Sequence, residues 1–297
     1  IKDKISLFCN VPKRHVLQNL DVEYLYEAPL AMEKEHLADA ACECLQLPCP
    51  EPDLTDWISM VDSLRHPTGE VTVALVGKYT ALHDAYISVV EALKHGGITN
   101  RATVHIKWID SETVTPENAA GLLSDVQGIL VPGGFGDRGI DGMLCAIEYA
   151  RVNRIPYLGL CLGMQLAIVE YARHVAGLTG AHSIELDPDT RYPVISLMPD
   201  QNGIVDIGGT LRLGSCPCVL DTSSRAYQLY GTEHITERHR HRYEVNNDYR
   251  DVLTAHGLKL SGASPDGRIV EMLEIPSHPF FLATQAHPEL KSRPNRP

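Results

Sequence analysis

The sequence predicts an α/β protein with a mostly parallel central sheet. Short apolar, β-rich runs alternate with helical patterns of about 10–15 residues, which is typical of βαβ units. One of these runs, residues 157–160, leads through a Gly-x-Cys-x-Gly turn into a helical pattern over 164–175. A strand, a sharp turn and a helix in this order form a local signature of such folds.

The first 70 residues do not follow this alternation. We predict a short strand over 5–9, a second extended piece around 21–25 and one helix over 32–47 that ends before Pro48. The Pro-rich, acidic stretch 48–53 is typical of a linker, and apolar residues at helical spacing predict a helix over 54–66.

From residue 71 onward, strands and helices alternate regularly. The predicted strands are 71–76, 103–109, 129–131 and 157–160, and the predicted helices are 84–94, 142–152 and 164–175. After about residue 190 the chain is richer in β patterns, at 194–198, 211–213, 269–273 and 280–285. The pattern in the middle of the chain therefore predicts the parallel sheet, and the last third is predicted to add further strands to it.

Composition excludes several classes of protein. Lys and Arg number 26 and Asp and Glu 38 in 297 residues, a net charge of −12, so no nucleic-acid or anionic-membrane binding is expected. No apolar run is long enough to span a membrane. The eight cysteines lack C-x2-C spacing, so we expect reduced thiols, no metal site and a cytoplasmic location. Without an initiator Met or signal-peptide core, the chain is expected to be a fragment of a longer one.

The Gly-x-Cys-x-Gly turn is the strongest chemical signal. Cys161 lies between Gly159 and Gly163, after a strand and before a helix, as the nucleophile does in a nucleophile elbow. The glycines are needed because side chains there would collide in the sharp turn. The helix N-terminus favours the thiolate over the thiol. The alternative is a buried structural cysteine in a Gly-flanked turn.

A nucleophilic thiolate needs a base, and the base needs an orienting group. His287 follows the apolar run 280–285 and therefore lies at the carboxyl end of a predicted strand, where α/β sheets place their sites. Glu289, two residues further on, can hold the imidazole in one tautomer. A single histidine is more often a structural residue, so this prediction depends on its combination with the elbow.

An acyl-transfer site also needs donors for a developing oxyanion. The strand 129–131 ends in the glycine turn 133–136, which can direct a backbone N–H at the substrate, and the N–H of Leu162 is a natural second donor. A phosphate-binding loop is the competing interpretation. It is disfavoured because no Gly-Lys-Ser/Thr follows the turn.

The glycine turn, the elbow and the His-Pro-Glu sequence, in this order, resemble the class I glutamine amidotransferases. Longer motifs at 76–79, 131–139, 208–214 and 237–246 resemble the CTP synthase family, and this resemblance covers essentially the whole chain. It implies a flavodoxin-like sandwich, with a glutamine amidotransferase type 1 domain over 71–297 and an interdomain linker over 54–70. Residues 1–53 would be the C-terminal remnant of the amidoligase (synthetase) domain, whose active site is expected outside this chain.

The same resemblance implies roles for individual residues. The catalytic residues would be Cys161, His287 and Glu289, and the oxyanion donors Gly134 and Leu162. The residues that hold glutamine would be Gly134, Leu162, Gln165, Glu185 and Arg242. A possible contact to the GTP effector would be formed by Arg138, Gly139 and Asp141.

The resemblance implies hydrolysis of L-glutamine through a Cys161 glutamyl thioester, with the ammonia used to aminate UTP to CTP. No cofactor or metal is expected for the glutaminase step, whereas the full enzyme would use ATP, Mg²⁺ and GTP as allosteric activator, with the synthetase half in a homotetramer. Two alternatives remain: another thiol hydrolase of this fold, such as a γ-glutamyl peptidase, and a non-catalytic interaction module. The basic run 238–242 alone would suggest a nucleic-acid patch, but its acidic surroundings favour a local anion site.

Overall fold

A computed structural model describes residues 1–197 and 211–297, which divide into two compact units. The first unit comprises Ile1–Gly69, His95–Thr103 and Arg293–Pro297, and the second comprises Glu70–Lys94 and Val104–Ser292. The helices of residues 1–69 are α1 (Lys2–Cys9), α2 (Ala28–Lys34), α3 (Leu37–Leu45) and α4 (Thr55–Arg65). Across the described residues, no helix combines the length and the apolar character needed to cross a bilayer.

Three predictions for the first unit are corrected by the structure. The strand over 5–9 is wrong, because these residues lie in helix α1, which has no buried residue; a helix satisfies its own backbone, whereas a strand needs a paired neighbour. The helix over 32–47 is interrupted at His36, whose φ of 62° lies outside the helical range. The extended piece around 21–25 runs into a short 3₁₀ turn at Leu25–Glu27.

Helix α4 confirms its prediction and carries the small core of the first unit. Met60 and Val61 are buried with Ile98 and are surrounded by partly buried residues, Tyr26, Leu30, Trp57 and Leu64. The Trp57 indole N–H donates to the carbonyl of Tyr26 at 2.7 Å. This satisfies the polar atom of a large aromatic side chain, as buried indoles require.

The second unit is built on a nine-stranded sheet. Its strands are β1 (Gly69–Gly77), β2 (Ala102–Asp110), β3 (Gly128–Val131), β4 (Tyr157–Leu160), β7 (Arg212–Leu220), β8 (His234–His241), β10 (Lys259–Ala263), β11 (Val270–Glu274) and β12 (Phe281–Thr284). A second sheet contains β5 (His182–Ser183), β6 (Pro193–Leu197) and β9 (Tyr243–Val245). The helices are α5 (Ile87–Thr99), α6 (Ala119–Leu123), α7 (Ile140–Val152), α8 (Leu162–His174), α9 (Arg225–Tyr230) and α10 (Arg250–Ala255).

The strand order of the large sheet is β2-β1-β3-β4-β12-β11-β10-β7-β8. The pairs β1/β3, β3/β4 and β4/β12 are parallel, and the sheet continues from β12 to β8 through antiparallel pairs. The α/β fold with its parallel central strands confirms the predicted class. Met198 of the predicted strand 194–198, and residues 208–210 of the motif 208–214, lie outside the described residues.

Packing on both faces explains why the central strands are continuously apolar. Along β3, Ile129 and Val131 belong to a large cluster with α7 and α8, whereas Leu130 belongs to a cluster with Tyr86 and Val89. The register aligns Thr284 with Leu160 and Val131 with Gly159, so β3, β4 and β12 end together. The residues that follow these three strands therefore meet at one edge of the sheet.

Candidate active site

Cys161 occupies a strained turn between β4 and α8. Its φ of 51° and ψ of −100° are rare for a residue other than glycine, and such strain is concentrated at functional sites. A Cβ on Gly163 would lie 2.1 Å from the carbonyl oxygen of Val131, and one on Gly159 would lie 2.7 Å from the Tyr157 hydroxyl. Both flanking positions therefore require glycine, which confirms the steric reason for the motif.

The thiol of Cys161 is buried at the N-terminus of α8, where free N–H groups favour an anion. Its Sγ lies 3.9 Å from the carbonyl oxygen of Arg240 and accepts from the Gln285 side-chain amide at 3.6 Å. Leu162 is the first residue of α8, so its N–H has no acceptor within the helix. The thiol of Cys161 and the N–H of Leu162, a potential oxyanion donor, are thus adjacent.

His287 lies beside Cys161 and is oriented by Glu289. The Nδ1 atom of His287 is 2.8 Å from Oε1 of Glu289, and the ring and Cys161 both pack against Gly133. Burial lowers the pKa of His287, but the hydrogen bonds and negative charges of Cys161 and Glu289 outweigh it and raise the pKa to about 10. The imidazole therefore carries a proton at neutral pH and can transfer it.

The glycine turn after β3 packs closely against this pair. A Cβ on Gly133 would lie 2.7 Å from Cε1 of His287 and 3.5 Å from Cβ of Cys161. Gly134 follows and lines the cavity next to Cys161. Lys78 donates from Nζ to the carbonyls of Phe135 and Gly136, at 3.1 Å for Phe135, and thereby holds the turn in place.

A cavity of about 340 Å³ opens beside the thiol, within the size range of small-molecule sites. It is lined by Gly134, Phe135, Cys161, Gln165, Glu185, Leu211, Arg240, His241, Arg242 and Tyr243. The three predicted head-group residues, Gln165, Glu185 and Arg242, all lie in this lining. We call Cys161 the reacting end of the cavity, and the charged side chains of Glu185 and Arg242 its charged or recognition end.

The charged end contains one acidic and one basic side chain. Burial raises the pKa of Glu185, while the positive charges of Lys78 and Arg242 act in the opposite direction. Gln165 is buried, and its amide donates to the carbonyl of Tyr243 at 3.0 Å and to Gln285 at 3.3 Å. These contacts hold the side chain of Gln165 in one orientation.

The predicted GTP-contact residues lie outside the cavity lining. Arg138 donates to the carbonyl of Lys78 at 2.9 Å and pairs with Glu112 at 3.0 Å. Gly139, with φ of 68°, precedes α7, and a Cβ there would lie 2.1 Å from the Ser111 hydroxyl. Asp141 is exposed in the first turn of α7.

Gln285 and Lys78 were not predicted from the sequence as residues of the site. Gln285 links Cys161 to Gln165, and a polar residue at the end of an apolar strand was an available signal. Lys78 is buried just after β1, which is unusual for a lysine. Its role depends on a contact with a turn more than fifty residues away, which no local pattern indicates.

One group in the described part of the chain has metal-ligand types in close proximity: Glu148, Glu170 and His174. The buried Glu170 carboxylate accepts from Arg151 at 2.7 and 2.9 Å. The guanidinium therefore already neutralises the charge that a cation would need. The group is an ion-pair network, and none of its members lines the cavity.

Comparison with known proteins agrees with this geometry. The family profile described as glutamine amidotransferase class-I matches residues 81–297, which is most of the chain. The chain therefore belongs to the class-I glutamine amidotransferases. Within that class it belongs to the CTP synthase family, as the profile of the CTP synthase N-terminus, which matches residues 1–47, and the following relatives indicate.

The chain is 57% identical to the CTP synthase of Clostridium acetobutylicum over 297 residues, covering 100% of this chain and 56% of that protein. It is 55% identical to the CTP synthase of Staphylococcus carnosus over 298 residues, covering 100% of this chain and 55% of that protein. A solved structure, the glutaminase domain of Trypanosoma brucei CTP synthase with bound acivicin, is 38% identical with a TM-score of 0.72, and the match covers 76% of this chain and 89% of that one. The chain spans about half the length of the curated relatives it matches.

Proposed function

We propose that this chain hydrolyses the side-chain amide of L-glutamine, with Cys161 as the nucleophile. The observation that carries the proposal is the grouping of Cys161 with the hydrogen-bonded pair His287–Glu289 at one end of a cavity. The other end of that cavity carries Glu185 and Arg242, which match the two α-charges of an amino acid. Membership of the class-I glutamine amidotransferases supports the same reaction and does not favour a peptidase or an idle module.

In the first step, the Cys161 thiolate attacks the amide carbon and forms a tetrahedral oxyanion. Because Nδ1 of His287 is held by Glu289, its Nε2 is the atom available on the side of the thiol. The Nε2 proton passes to the amide nitrogen, the C–N bond breaks and ammonia leaves. The product that stays on the enzyme is a γ-glutamyl thioester.

In the second step, water attacks the thioester and gives a proton to the now neutral Nε2 of His287. The C–S bond breaks, glutamate is released, and the thiolate and imidazolium are restored. In both steps the oxyanion would accept hydrogen bonds from the N–H groups of Leu162 and Gly134. Their places at the helix start and the glycine turn, beside the thiol, support this role.

Recognition of the substrate would use the charged end of the cavity. Arg242 would bind the α-carboxylate and Glu185 the α-ammonium, with Gln165 held rigidly between them and the thiol. Charge-assisted contacts of this kind are shorter and stronger than neutral ones. They would select an amino acid over a simple amide.

We also propose the role of this reaction in a longer protein. The relatives are CTP synthases, so the released ammonia would aminate UTP that ATP has phosphorylated. Residues 1–53 would be the end of the amidoligase domain, 54–70 a linker and 71–297 the glutaminase domain. ATP and Mg²⁺ would act in the amidoligase half, with no metal needed for glutamine hydrolysis.

Regulation and assembly are proposed from the same family membership. GTP would activate the glutaminase through the segment that contains Arg138, Gly139 and Asp141. The contact of Arg138 with the carbonyl of Lys78, which also holds the glycine turn, offers a physical connection to the oxyanion site. The intact enzyme would be a cytoplasmic homotetramer.

The test uses the 297-residue chain and two readouts. Ammonia release from glutamine measures turnover, and mass spectrometry after treatment with a diazoketone analogue of glutamine locates any adduct. We expect stoichiometric labelling at Cys161 that glutamine slows by competition. The matched control is Cys145→Ala, which removes a half-buried cysteine outside the cavity. This variant should be labelled at Cys161 as the wild type is. Absence of both ammonia and a Cys161 adduct would refute the proposal.

A further inference from the structure

Strand β8 forms the edge of the large sheet, and its outer carbonyls contact the catalytic segment. The carbonyl of Arg238 accepts from the backbone N–H of His287 at 2.7 Å. The carbonyl of Arg240 faces Sγ of Cys161 at 3.9 Å, and that of Thr236 accepts from the Lys291 side chain. Carbonyls at three alternate positions of β8 thus contact Cys161, His287 and the turn that follows His287.

The same strand is anchored by two buried histidines. Residues alternate along β8 between exposed and buried, and His239 and His241 are both at most 3% exposed. Nδ1 of His239 lies 2.9 Å from Nε2 of His241, so the two rings share one hydrogen bond. Neither ring is part of the catalytic series described above.

A carboxyl group lies at each end of this histidine pair. Nδ1 of His241 is 3.2 Å from Oε1 of Glu244 on β9, and Nε2 of His239 is 3.6 Å from Oε2 of Glu271 on β11. Within residues 1–197 and 211–297, Nε2 of His239 and all four carboxylate oxygens have no hydrogen-bond partner of good geometry. Buried orphan atoms of this kind need an explanation, because an unmet polar group is costly.

The placement of protons supplies that explanation. Arg212, from β7, pairs with Glu271, whereas no Lys or Arg in the described chain pairs with Glu244. Burial raises the pKa of Glu271 against the attraction of Arg212, and it raises the pKa of Glu244 well above its usual range. Glu244 is therefore the carboxyl group of the row that holds a proton more firmly.

The contacts of the two rings follow the strand. Nδ1 of His241 lies 3.3 Å from the carbonyl of Tyr243, and because a carbonyl oxygen can only accept, Nδ1–H of His241 is the donor of this contact. The other nitrogen of His241 shares its hydrogen bond with Nδ1 of His239.

We propose that His239 and His241, as neutral rings, are positioning residues that hold the β8 carbonyls against His287 and Cys161. The two rings fix the strand from its buried face, and its outer carbonyls set the spacing of nucleophile and base. Neutral rings also add no positive charge next to the imidazolium of His287. The activity part of this inference rests on the proposed glutaminase function, whereas its proton assignment does not.

The proton assignment is tested by ¹⁵N NMR of the histidine rings in the 297-residue chain. The charged groups that face the row are Arg212, Glu244, Glu271 and His287. Burial lowers the pKa of His239 to about 3 and that of His241 well below its usual value, so both rings should stay neutral from about pH 5 to 9. A positive charge on either ring at pH 7 would overturn the proposal whether or not glutamine is hydrolysed.

The positioning role is tested by His239→Leu and His239→Asn. Leucine cannot form a hydrogen bond with His241, whereas the short amide of asparagine can replace Nδ1. We expect kcat to fall roughly tenfold in His239→Leu with KM for glutamine within about twofold, since small misplacements of catalytic groups are costly. Alkylation of Cys161 by iodoacetamide, which needs no glutamine, should slow in parallel, and His239→Asn should recover most of both rates.

The matched control is His234→Leu, which removes an exposed histidine from the same strand and should change neither rate. Equal losses in His239→Leu and His239→Asn would overturn the positioning role. So would a lower melting temperature with unchanged kcat and alkylation. If His239→Leu does not fold, the comparison of His239→Asn with the wild type and the NMR assignment decide the question.

Discussion

The two ends of the cavity are built by different means. At the reacting end, Cys161 and His287 are held by backbone: a strained turn, glycines in close contact and the carbonyls of β8. At the recognition end, Glu185 and Arg242 face the cavity through long, charged side chains. The reacting end therefore tolerates almost no change of shape, whereas the recognition end depends on charge and reach.

The two ends should therefore affect different kinetic parameters. Groups that act only in the transition state change kcat, and groups that bind substrate and transition state equally change KM. Variants at the reacting end should therefore lower kcat strongly. Variants at the recognition end should raise KM by smaller factors.

The largest expected effect is that of Cys161→Ala. Loss of the nucleophile should reduce glutamine hydrolysis by about four powers of ten or more, with the fold retained because alanine is smaller than cysteine. Ammonia release and circular dichroism measure the two properties. Near-normal turnover by a well-folded Cys161→Ala protein would show that Cys161 is not the nucleophile.

The next largest effect is expected for Glu289→Gln. The charge and hydrogen bond of Glu289 raise the pKa of His287, so their weakening should bring that pKa below about 10. We expect kcat to fall roughly 100-fold, the range of general acid–base catalysis. A ring titration by NMR and a kinetic assay at pH 7 test both parts, and an unchanged pKa of His287 would contradict this account of the triad.

At the recognition end, Arg242→Lys keeps the positive charge but loses the planar fork. We expect KM for glutamine to rise about tenfold with kcat nearly unchanged, because a bidentate contact becomes a point charge. The alternative is that Arg242 has a structural role outside substrate binding. In that case the melting temperature would fall while KM stayed constant.

The smallest effect is expected for Glu185→Gln, because the amide can still accept a hydrogen bond from the α-ammonium. KM for glutamine should rise about threefold to tenfold, in line with the replacement of a charge-assisted contact by a neutral hydrogen bond. Glutaramate, which lacks the α-ammonium, serves as the control substrate and should be hydrolysed equally by both proteins. Equal changes for the two substrates would assign Glu185 a structural role.

Sequence patterns predicted the second unit well and the first unit poorly. In the second unit, strands such as β3 and β4 are buried on both faces, so their apolar runs and their structure agree. In the first unit, helix α1 buries no residue, and its apolar run 5–9 does not determine whether it forms helix or strand. A local pattern of apolar residues predicts secondary structure only where tertiary packing buries those residues.

The candidate site was likewise predicted only in part. Cys161, His287 and Glu289 were predicted from motifs, because an elbow and a strand end impose local rules on glycines and neighbours. Strand β8 was not predicted, since its sequence alternates basic and histidine residues without any apolar signal beyond Ile235. Its buried histidines are accommodated by carboxyl groups from other strands, which no spacing along the chain indicates.

The sequence by itself determined the α/β alternation, the strained elbow and the pairing of His287 with Glu289. Each depends on residues that are close in the chain, where steric and hydrogen-bonding rules act locally. Only the tertiary structure decided that Gln285 connects Cys161 to Gln165 and that the edge carbonyls of β8 face Cys161 and His287. These contacts join elements separated by long stretches of chain, and their geometry follows from the order of strands in the sheet.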